Sequence, residues 1–236
     1  MPQWFRLDRP GGGVYLALVL AGCTGAPPSV APKGLVPVGP AQVDGWVART
    51  TPRQAVMHRF TWLYQDEQAS KGGRGSVRIV PPDSLRFDFA GSLGIGKGSA
   101  AVVGDSAIWV VPDRSVDELV PGISLLWAVL GVAQRPAPGV TLLGLEDRGT
   151  TAWQYVAGPD TTTYVLTATE GSTLVAEVRQ SGKVIGRASV TLTAEGRPVK
   201  ARLTVPSVPS KLEITFYATV PAAQFPPEIW ARPVEP

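Results

Sequence analysis

The stretch GSLGIGKGS, residues 91–99, differs by one residue from a phosphate-binding loop. Such a loop reads G-x-x-x-x-G-K-[ST], and here Gly98 follows Lys97 where a magnesium-binding hydroxyl is required. The loop must also lead into a helix, whose N-terminal amides hold the phosphates. Residues 99–111 instead have the pattern of two strands joined by a Gly-Asp turn. We therefore interpret the stretch as a glycine-rich turn that binds no nucleotide.

A second stretch that could take part in catalysis is Gly104-Asp105-Ser106, which resembles the nucleophile block of GDSL-type esterases. Such an enzyme needs a histidine downstream of its serine as general base. The only histidine of the chain, His58, lies upstream, on the apolar side of a predicted strand. A single histidine also cannot form a zinc site of the usual His and Cys type. We therefore expect no enzyme, no bound metal and no cofactor.

Composition and charge restrict the partners. The chain has 236 residues, of which 44% are hydrophobic and 17% are charged, as expected for a globular protein. Lys and Arg number 22 against 19 Asp and Glu, so the net charge is only +3. Nucleic-acid binding usually requires basic residues clustered on one face. This small and dispersed excess predicts no nucleic-acid partner.

The N-terminal segment contains the only cysteine. Arg6 and Arg9 precede an apolar run that is too short to span a bilayer. The run ends in LAGC, residues 20–23, so that residues 1–22 resemble a bacterial lipoprotein signal peptide. This resemblance implies cleavage before Cys23 and attachment of a diacylglyceryl group to its sulfur. The alternative is an ordinary secretory signal that contains a cysteine by chance.

The segment that starts at this cysteine, residues 23–40, is rich in Pro, Gly and Ala and predicts an extended tether. We expect residues 41–236 to form a single domain. Because Cys23 would carry the lipid, no cysteine is left for a disulfide or a thiolate metal site. No later apolar run predicts a transmembrane helix. The mature protein is therefore expected to lie on a membrane through its N-terminal lipid.

The dominant period in the folded part is two, which indicates antiparallel strands with one apolar face and one solvated face. In HRFTWLY, residues 58–64, the aromatic residues alternate with Arg59 and Thr61, and similar alternation recurs in later segments. The exception is residues 112–135, whose clustered apolar residues predict helices, the second of which opens at Pro121. These patterns predict roughly ten strands with a helical insertion in the middle of the chain.

Residues 57–145 resemble the LolA and LolB family of lipoprotein-localisation proteins. The similarity lies in the aromatic first strand RFTWLYQ, the hairpin region FDFAGSLGIGKGSAAVVGDSAIWV and the helical block ELVPGISLLWAVLGV. One difference is the loop QASKGGRGS, residues 68–76, which is polar and basic where LolB-like chains have a protruding apolar loop. The block lPv-x-x-L-x-x-W-x-x-G of LolB-like chains is approximately matched by Pro121, Leu125, Leu126, Trp127 and Gly131.

The resemblance implies a mainly β fold: a curved, incompletely closed antiparallel β-barrel of ten to eleven strands with a short helical lid inserted in mid-chain. It also implies a hydrophobic cavity under the lid that binds a lipid or the acyl chain of a lipoprotein. Thr24, which follows Cys23 in place of Asp, resembles the outer-membrane sorting rule of enteric bacteria. We therefore expect a monomer on the periplasmic face of the outer membrane, with a periplasmic carrier protein as partner.

The residues expected to line this cavity are apolar residues of the first three strands and of the helix. They are Phe60, Trp62, Tyr64, Val77, Ile79, Leu85, Phe87, Phe89, Leu126 and Leu130. Such a face buries an acyl chain with a gain of about 25 cal/mol per Å². The alternative is a solid core, since any β-barrel needs such a face. In that case the chain would be a structural or assembly lipoprotein that binds a protein partner through an exposed edge strand.

Overall fold

The computed structural model describes residues 29–92, 96–111, 120–168, 171–207 and 209–233. Its described part consists of thirteen strands, two α-helices and one 3-10 helix. The strands are β1 (Val36–Pro37), β2 (Val56–Gln65), β3 (Ser70–Val80), β4 (Ser84–Gly91), β5 (Lys97–Val103), β6 (Ser106–Val111), β7 (Thr141–Asp147), β8 (Thr150–Ala157), β9 (Asp160–Thr167), β10 (Thr173–Gln180), β11 (Lys183–Leu192), β12 (Pro198–Val205) and β13 (Ser210–Pro221). The helices are α1 (Pro40–Ala48), α2 (Ile123–Val129) and the 3-10 helix Pro227–Trp230. Cys23, the predicted lipidation site, and residues 112–119 of the predicted helical insertion lie outside the described ranges.

The strands form one antiparallel sheet in the order β1-β7-β8-β9-β10-β11-β12-β13-β2-β3-β4-β5-β6. Its edges, β1 and β6, do not pair with each other, so the sheet is not closed. The predicted fold class is therefore confirmed, with thirteen described strands in place of ten to eleven. The difference arises partly in β8 and β9, which are rich in threonine. The β-branched side chain of threonine favours strands but, because it is polar, does not mark an apolar face.

The expected alternation is found in β2, where His58 and Phe60 are buried while Arg59 and Thr61 are exposed. β2 pairs with β13 on one side and with β3 on the other. Strands from the beginning and the end of the fold therefore meet inside the sheet. β1 lies within the range predicted as a tether and pairs with β7 through Val36 and Pro37.

Two β-bulges change which residues face the core. Tyr217 is an extra residue in β13 opposite β2, so that beyond it Thr219 pairs with His58. Directly paired residues share one face of a sheet, so Thr219 faces inwards, whereas strict alternation predicts that it faces solvent. Val199 is the extra residue of a second bulge, in β12 opposite β11, and it is exposed although alternation predicts that it is inward.

The first helix lies against the strands near one edge of the sheet. α1 has Pro40 in its first turn, where the fixed φ of proline suits a helix. The ring of Trp46 packs on that of Trp153 in β8, with 6.0 Å between centroids. It also covers Gly144 of β7, where a Cβ atom would be 2.4 Å from the ring. The glycine therefore allows the helix to approach β7 closely.

The second helix is short and buried. α2 lies between Gly122 (φ 110°) and Gly131 (φ 83°), two backbone conformations that favour glycine. It begins at Ile123, two residues after the predicted start at Pro121. Residues 125–129 are all buried, so the helix is enclosed on all sides and does not present one apolar stripe. It packs against β10, β11 and β12. We call the side of the sheet that carries α1 and α2 the inner face.

The outer face is not solvated throughout, which corrects the prediction from alternation. Glu177 of β10 is 0% exposed. Its Oε1 accepts a hydrogen bond of 2.8 Å from Arg179, and Oε2 forms an ion pair with Arg187. Ser29, at the start of the described chain, lies 3.4 Å from the same carboxylate. The N-terminal segment therefore contacts the outer face at Ser29. Among the described residues no helix is long and apolar enough to cross a membrane.

Candidate functional site

The ten residues predicted to line a cavity lie on strands β2 to β4 and at α2, and the structure brings them together on the inner face. Six of them are buried and four are partly buried. The buried ones are Phe60, Val77, Ile79, Leu85, Leu126 and Leu130, and the partly buried ones are Trp62, Tyr64, Phe87 and Phe89. Their role as ligand contacts stays a prediction.

Five of the inner-face rings form a continuous series, which we call the aromatic row. His58 contacts Phe216 at 5.8 Å between centroids, and Phe216 contacts Phe60 at 5.8 Å. Phe60 stacks on Phe87 at 5.2 Å, and Phe87 contacts Phe89 at 6.0 Å. These distances and angles are those of favourable aromatic pairs. The row therefore runs across β13, β2 and β4 as one apolar surface.

Glycines on neighbouring strands leave room for these rings. A Cβ atom on Gly75 of β3 would be 2.4 Å from the ring of Phe60 and 2.7 Å from a backbone oxygen of β4. A Cβ atom on Gly98 of β5 would be 2.3 Å from the ring of Phe89. Each ring thus lies directly against a glycine of a nearby strand. Lys97 and Gly98, part of the stretch that resembled a phosphate loop, lie in β5, with no helix entered there.

The end of the aromatic row opens into a small space that we call the inner cavity. Its volume is about 30 Å³, which is enough for one or two water-sized groups. It lies between α2, the residues just before it and the strands β4, β5 and β13. All of its lining residues are apolar: Phe87, Phe89, Ala100, Val120, Leu126, Val129, Leu212 and Ile214.

A larger cleft of about 820 Å³, which we call the end cleft, lies at the other end of the aromatic row. It is formed by the α1–β2 loop, the segment after α2, the β11–β12 hairpin and the end of β13. Its apolar lining includes Val56, Leu130, Val132, Leu166 and Leu192. Its charged lining consists of Arg49, Arg53, Glu195 and Arg197. The end cleft is thus amphipathic, whereas the inner cavity is apolar.

His58 joins the aromatic row to the end cleft. It is 3% exposed, and its Nδ1 lies 2.9 Å from the hydroxyl of Thr219, the residue that the bulge turns inwards. Burial, together with the positive charge of Arg197, lowers the pKa of His58 from 6.5 to about 4. The imidazole is therefore neutral at physiological pH, and the positive charge of the end cleft comes from arginine.

The charged groups of the end cleft differ in how they are partnered. Arg49 forms an ion pair with Glu146 at 2.8 Å. Glu195 is exposed, and its pKa is lowered by the hydroxyl of Thr193, by its own amide and by Arg197. Within the described part of the chain, no carboxylate lies within 4 Å of the guanidinium of Arg53 or Arg197. Two cations of the cleft are thus available to a ligand.

The residues considered for catalysis are in different surroundings. Ser106 is exposed at the tip of the β5–β6 hairpin, where its hydroxyl lies 2.9 Å from the carboxylate of Asp105. His58 is buried beside Thr219 on another strand. Among the described residues, no three His, Cys, Asp or Glu side chains are grouped so that they could hold a metal ion.

Reasoning from the sequence missed the end cleft. Residues 194–198 of its rim, AEGRP, have the composition of a turn and carry no signal of a binding site. The sequence contained one signal: the only histidine was placed on an apolar face, where a neutral polar group would need a partner. The partner is Thr219, which strict alternation places on the opposite face and the bulge at Tyr217 turns inwards.

No protein-family model matches the chain, and no curated protein matches it significantly. Solved structures do match. A LolA superfamily protein from Nitrosomonas europaea is 10% identical, with 83% of this chain and 98% of that chain covered and a TM-score of 0.40. An outer membrane lipoprotein-sorting protein domain from Vibrio parahaemolyticus is 8% identical, with 81% and 95% covered and a TM-score of 0.38.

MucB is 14% identical, with 84% of this chain and 65% of that chain covered and a TM-score of 0.38. The chain is thus similar, at low identity, to solved structures described as a LolA superfamily protein and a lipoprotein-sorting domain. At TM-scores of 0.40 and below, these similarities carry no argument about what the chain binds. Its function has to be argued from its own residues.

Proposed function

We propose that this chain is a lipid-anchored envelope protein that binds one hydrophobic ligand without covalent chemistry. The ligand is a lipid or the acyl chain of a lipoprotein, in transit to the outer membrane. The anchor is a lipid on Cys23, and the ligand lies on the inner face between α2 and strands β2 to β5. The observation that carries the proposal is the inner cavity, whose lining is entirely apolar and continues into the aromatic row.

The inner cavity is too small for an acyl chain as it stands, so binding requires α2 to shift. Glycines at both ends of α2, Gly122 and Gly131, support such a movement. Two side chains at and just after α2, Trp127 and Gln134, donate hydrogen bonds of 2.9 and 2.6 Å to the carbonyl of Gly104. Breaking them costs about 1 kcal/mol each. Burial of ten methylenes contributes about 8 kcal/mol, which offsets these hydrogen bonds and part of the packing that α2 loses when it shifts.

The experiment is photo-crosslinking with a dodecanoic acid that carries a diazirine at its methyl end. All described elements lie in residues 29–233, so the chain from residue 24 onward contains the whole described fold. Peptide mapping by mass spectrometry should place the crosslinks on Phe87, Phe89 or Leu126. Crosslinks confined to the outer face would contradict the proposal.

A matched pair of substitutions controls for non-specific binding. Phe89→Asp puts a charge on the inner face and should abolish crosslinking. Tyr217→Asp makes the same kind of change at a residue that is 56% exposed, and it should leave crosslinking intact. Circular dichroism establishes that both variants are folded. Equal crosslinking in the two variants would argue against the inner face. The anchor is tested separately, by incorporation of labelled palmitate that is lost in Cys23→Ala.

One observation favours a second candidate function, recognition of a protein partner by an assembly lipoprotein. β6 is an edge of the sheet, and its Ile108 is 61% exposed. An exposed apolar edge strand can pair with a strand of another chain. If the dodecanoyl probe fails to bind, a photoreactive residue in place of Ile108 should capture that partner in intact envelopes.

A further inference from the structure

The end cleft has a composition that the proposed function does not explain. An acyl chain needs only apolar surface, and the inner cavity supplies it. The end cleft combines an apolar floor with a charged rim in a volume of about 820 Å³. That volume lies in the range of pockets that enclose small organic ligands. A ligand complementary to it has an aliphatic part and a charged part.

The sign of the charge is positive. Arg53 and Arg197 have no carboxylate within 4 Å among the described residues, whereas Arg49 is engaged by Glu146. Among the described lining residues the one acid is Glu195, which is exposed on the hairpin that carries Arg197. The field of Arg197 reaches the floor of the cleft, since it contributes to the neutral state of the buried His58. Two guanidinium groups near an apolar floor favour a carboxylate or a phosphate.

The end cleft and the inner cavity are linked by the packed rings of the aromatic row, whose middle ring, Phe60, is fully buried. The aromatic row begins at His58, which lines the cleft, and ends at Phe87 and Phe89, which line the cavity. On the opposite side, Leu130 faces the cleft, and Leu126, one turn earlier, faces the cavity. A ligand with its charged end at Arg53 and Arg197 could therefore extend its chain under α2.

We propose that the end cleft binds the anionic headgroup of an amphiphile, through Arg53 and Arg197, while the aliphatic chain lies along the aromatic row. This inference rests on the proposed function and specifies its ligand as a lipid with a carboxylate or phosphate head. Thr219, whose hydroxyl contacts His58, also lines the cleft. Neutral lipids and cationic amphiphiles are disfavoured, because they leave the two guanidinium groups without a partner.

The test measures the affinity of residues 24–236 for four ligands that share a twelve-carbon chain. They are dodecanoate, dodecyl phosphate, dodecanol and dodecyltrimethylammonium, each below its micelle-forming concentration. We expect at least one of the two anions to bind about tenfold more tightly than the alcohol, and the cation to bind more weakly than the alcohol. The carboxylate and phosphate arms identify the headgroup. Acetate and inorganic phosphate, which lack the chain, should bind far more weakly.

A double variant tests the assigned residues. Arg53→Gln with Arg197→Gln should reduce the ratio of anion to alcohol affinity to nearly one. The matched control is Arg59→Gln with Arg74→Gln, two arginines on the outer face, which should keep the ratio of the unmodified protein. Both pairs remove two positive charges, so a general effect of net charge would change both ratios equally and would overturn the assignment.

The outcomes separate this inference from the proposed function. If all four twelve-carbon ligands bind with similar affinity, the proposed function stands and the headgroup site is wrong. If none of the four ligands binds, both the proposed function and the headgroup site are wrong. If the anions bind preferentially and the preference survives in the double variant, the anion site lies elsewhere and the inference is overturned. The preference should also weaken as salt is raised, since both guanidinium groups are exposed.

Discussion

The inner face of the sheet is covered differently in its two halves. In the helix-covered half, β7 to β12, α1 packs against β7 and α2 packs against β10 to β12. Trp46, Trp127 and Trp153 are almost completely buried there. In the aromatic half, β2 to β5, Trp62, Phe87 and Phe89 are only partly buried. Trp62 also has a buried indole N–H without a partner among the described residues.

This difference shows where the fold has room for a ligand. Where a helix lies on the sheet, large side chains from both layers fill the space, as in protein interiors generally. In the aromatic half two of the rings lie against glycines of neighbouring strands, and the inner cavity remains beside them. The large aromatic side chains are therefore more completely buried in the helix-covered half, and the aromatic half carries the proposed ligand site.

The largest expected effect comes from removing a ring in the helix-covered half. Trp153 is 0% exposed, stacks on Tyr164 at 5.4 Å and donates a hydrogen bond of 3.1 Å to the hydroxyl of Tyr155. Trp153→Ala should lower the free energy of unfolding by about 3–5 kcal/mol. Phe89→Ala, in the aromatic half, should lower it by roughly 1–2 kcal/mol, because the ring is already partly exposed. Urea denaturation measures both, and equal losses would contradict the division into two halves.

The second effect depends on pH and tests whether the imidazole of His58, beside the aromatic half, is shielded from water. The pKa of His58 is about 4 in the folded protein and 6.5 when unfolded. As pH falls below 6.5, the unfolded chain binds the proton first, so stability falls between pH 6.5 and 4 and levels off below 4. The loss attributable to His58 should be about 3 kcal/mol. In His58→Gln this contribution should vanish from urea denaturation curves measured at pH 7 and pH 4. If His58→Gln has the same pH dependence as the unmodified protein, water reaches the imidazole of His58 in the folded state.

A third effect concerns the outer side of the helix-covered half, where Glu177 is enclosed by Arg179, Arg187 and the segment of Ser29. Glu177→Gln should lower the free energy of unfolding by about 2 kcal/mol, because it weakens two charge-assisted contacts at a buried position. The matched control is Glu213→Gln, a partly exposed glutamate whose nearest ion-pair distance, to Lys211, is 3.8 Å. That change should cost less than about 0.5 kcal/mol. If both changes cost the same, the outer face is not closed at Glu177.

The sequence alone predicted the aromatic half well and the remainder less well. In β2 to β4, apolar residues alternate with Arg59, Arg78 or Asp88, so the inner face can be identified by counting. The bulge at Tyr217 could not be foreseen, because it depends on how β13 registers with β2 and not on the residues of β13. This single extra residue decides that Thr219 meets His58.

Long-range contacts account for the other differences. Glu177 occupies an outward position, and its carboxylate contacts Ser29, which is 148 residues away in the chain. The end cleft likewise combines Arg53 with Arg197, from two connecting segments that come together only when the sheet has formed. Periodicity describes one element at a time. Periodicity could therefore predict which residues of one strand face inwards, but not a cleft built from the ends of several elements.

The smallest expected effect is also the sharpest test of the two halves, because it uses the same substitution in each. Ala100 lines the inner cavity in the aromatic half, and Ala176 is fully buried on β10 in the helix-covered half. Ala100→Val can place its added methyl groups in the cavity, so its stability should change by no more than about 0.5 kcal/mol. Ala176→Val has no such space and should cost about 1–2 kcal/mol. Urea denaturation of the two variants gives the comparison directly.

Ala100→Val should in addition reduce crosslinking by the dodecanoyl probe, since the added methyl groups and the acyl chain would compete for one space. A large loss of stability in Ala100→Val would mean that the aromatic half is packed as tightly as the helix-covered half, and it would favour the solid core over the ligand site.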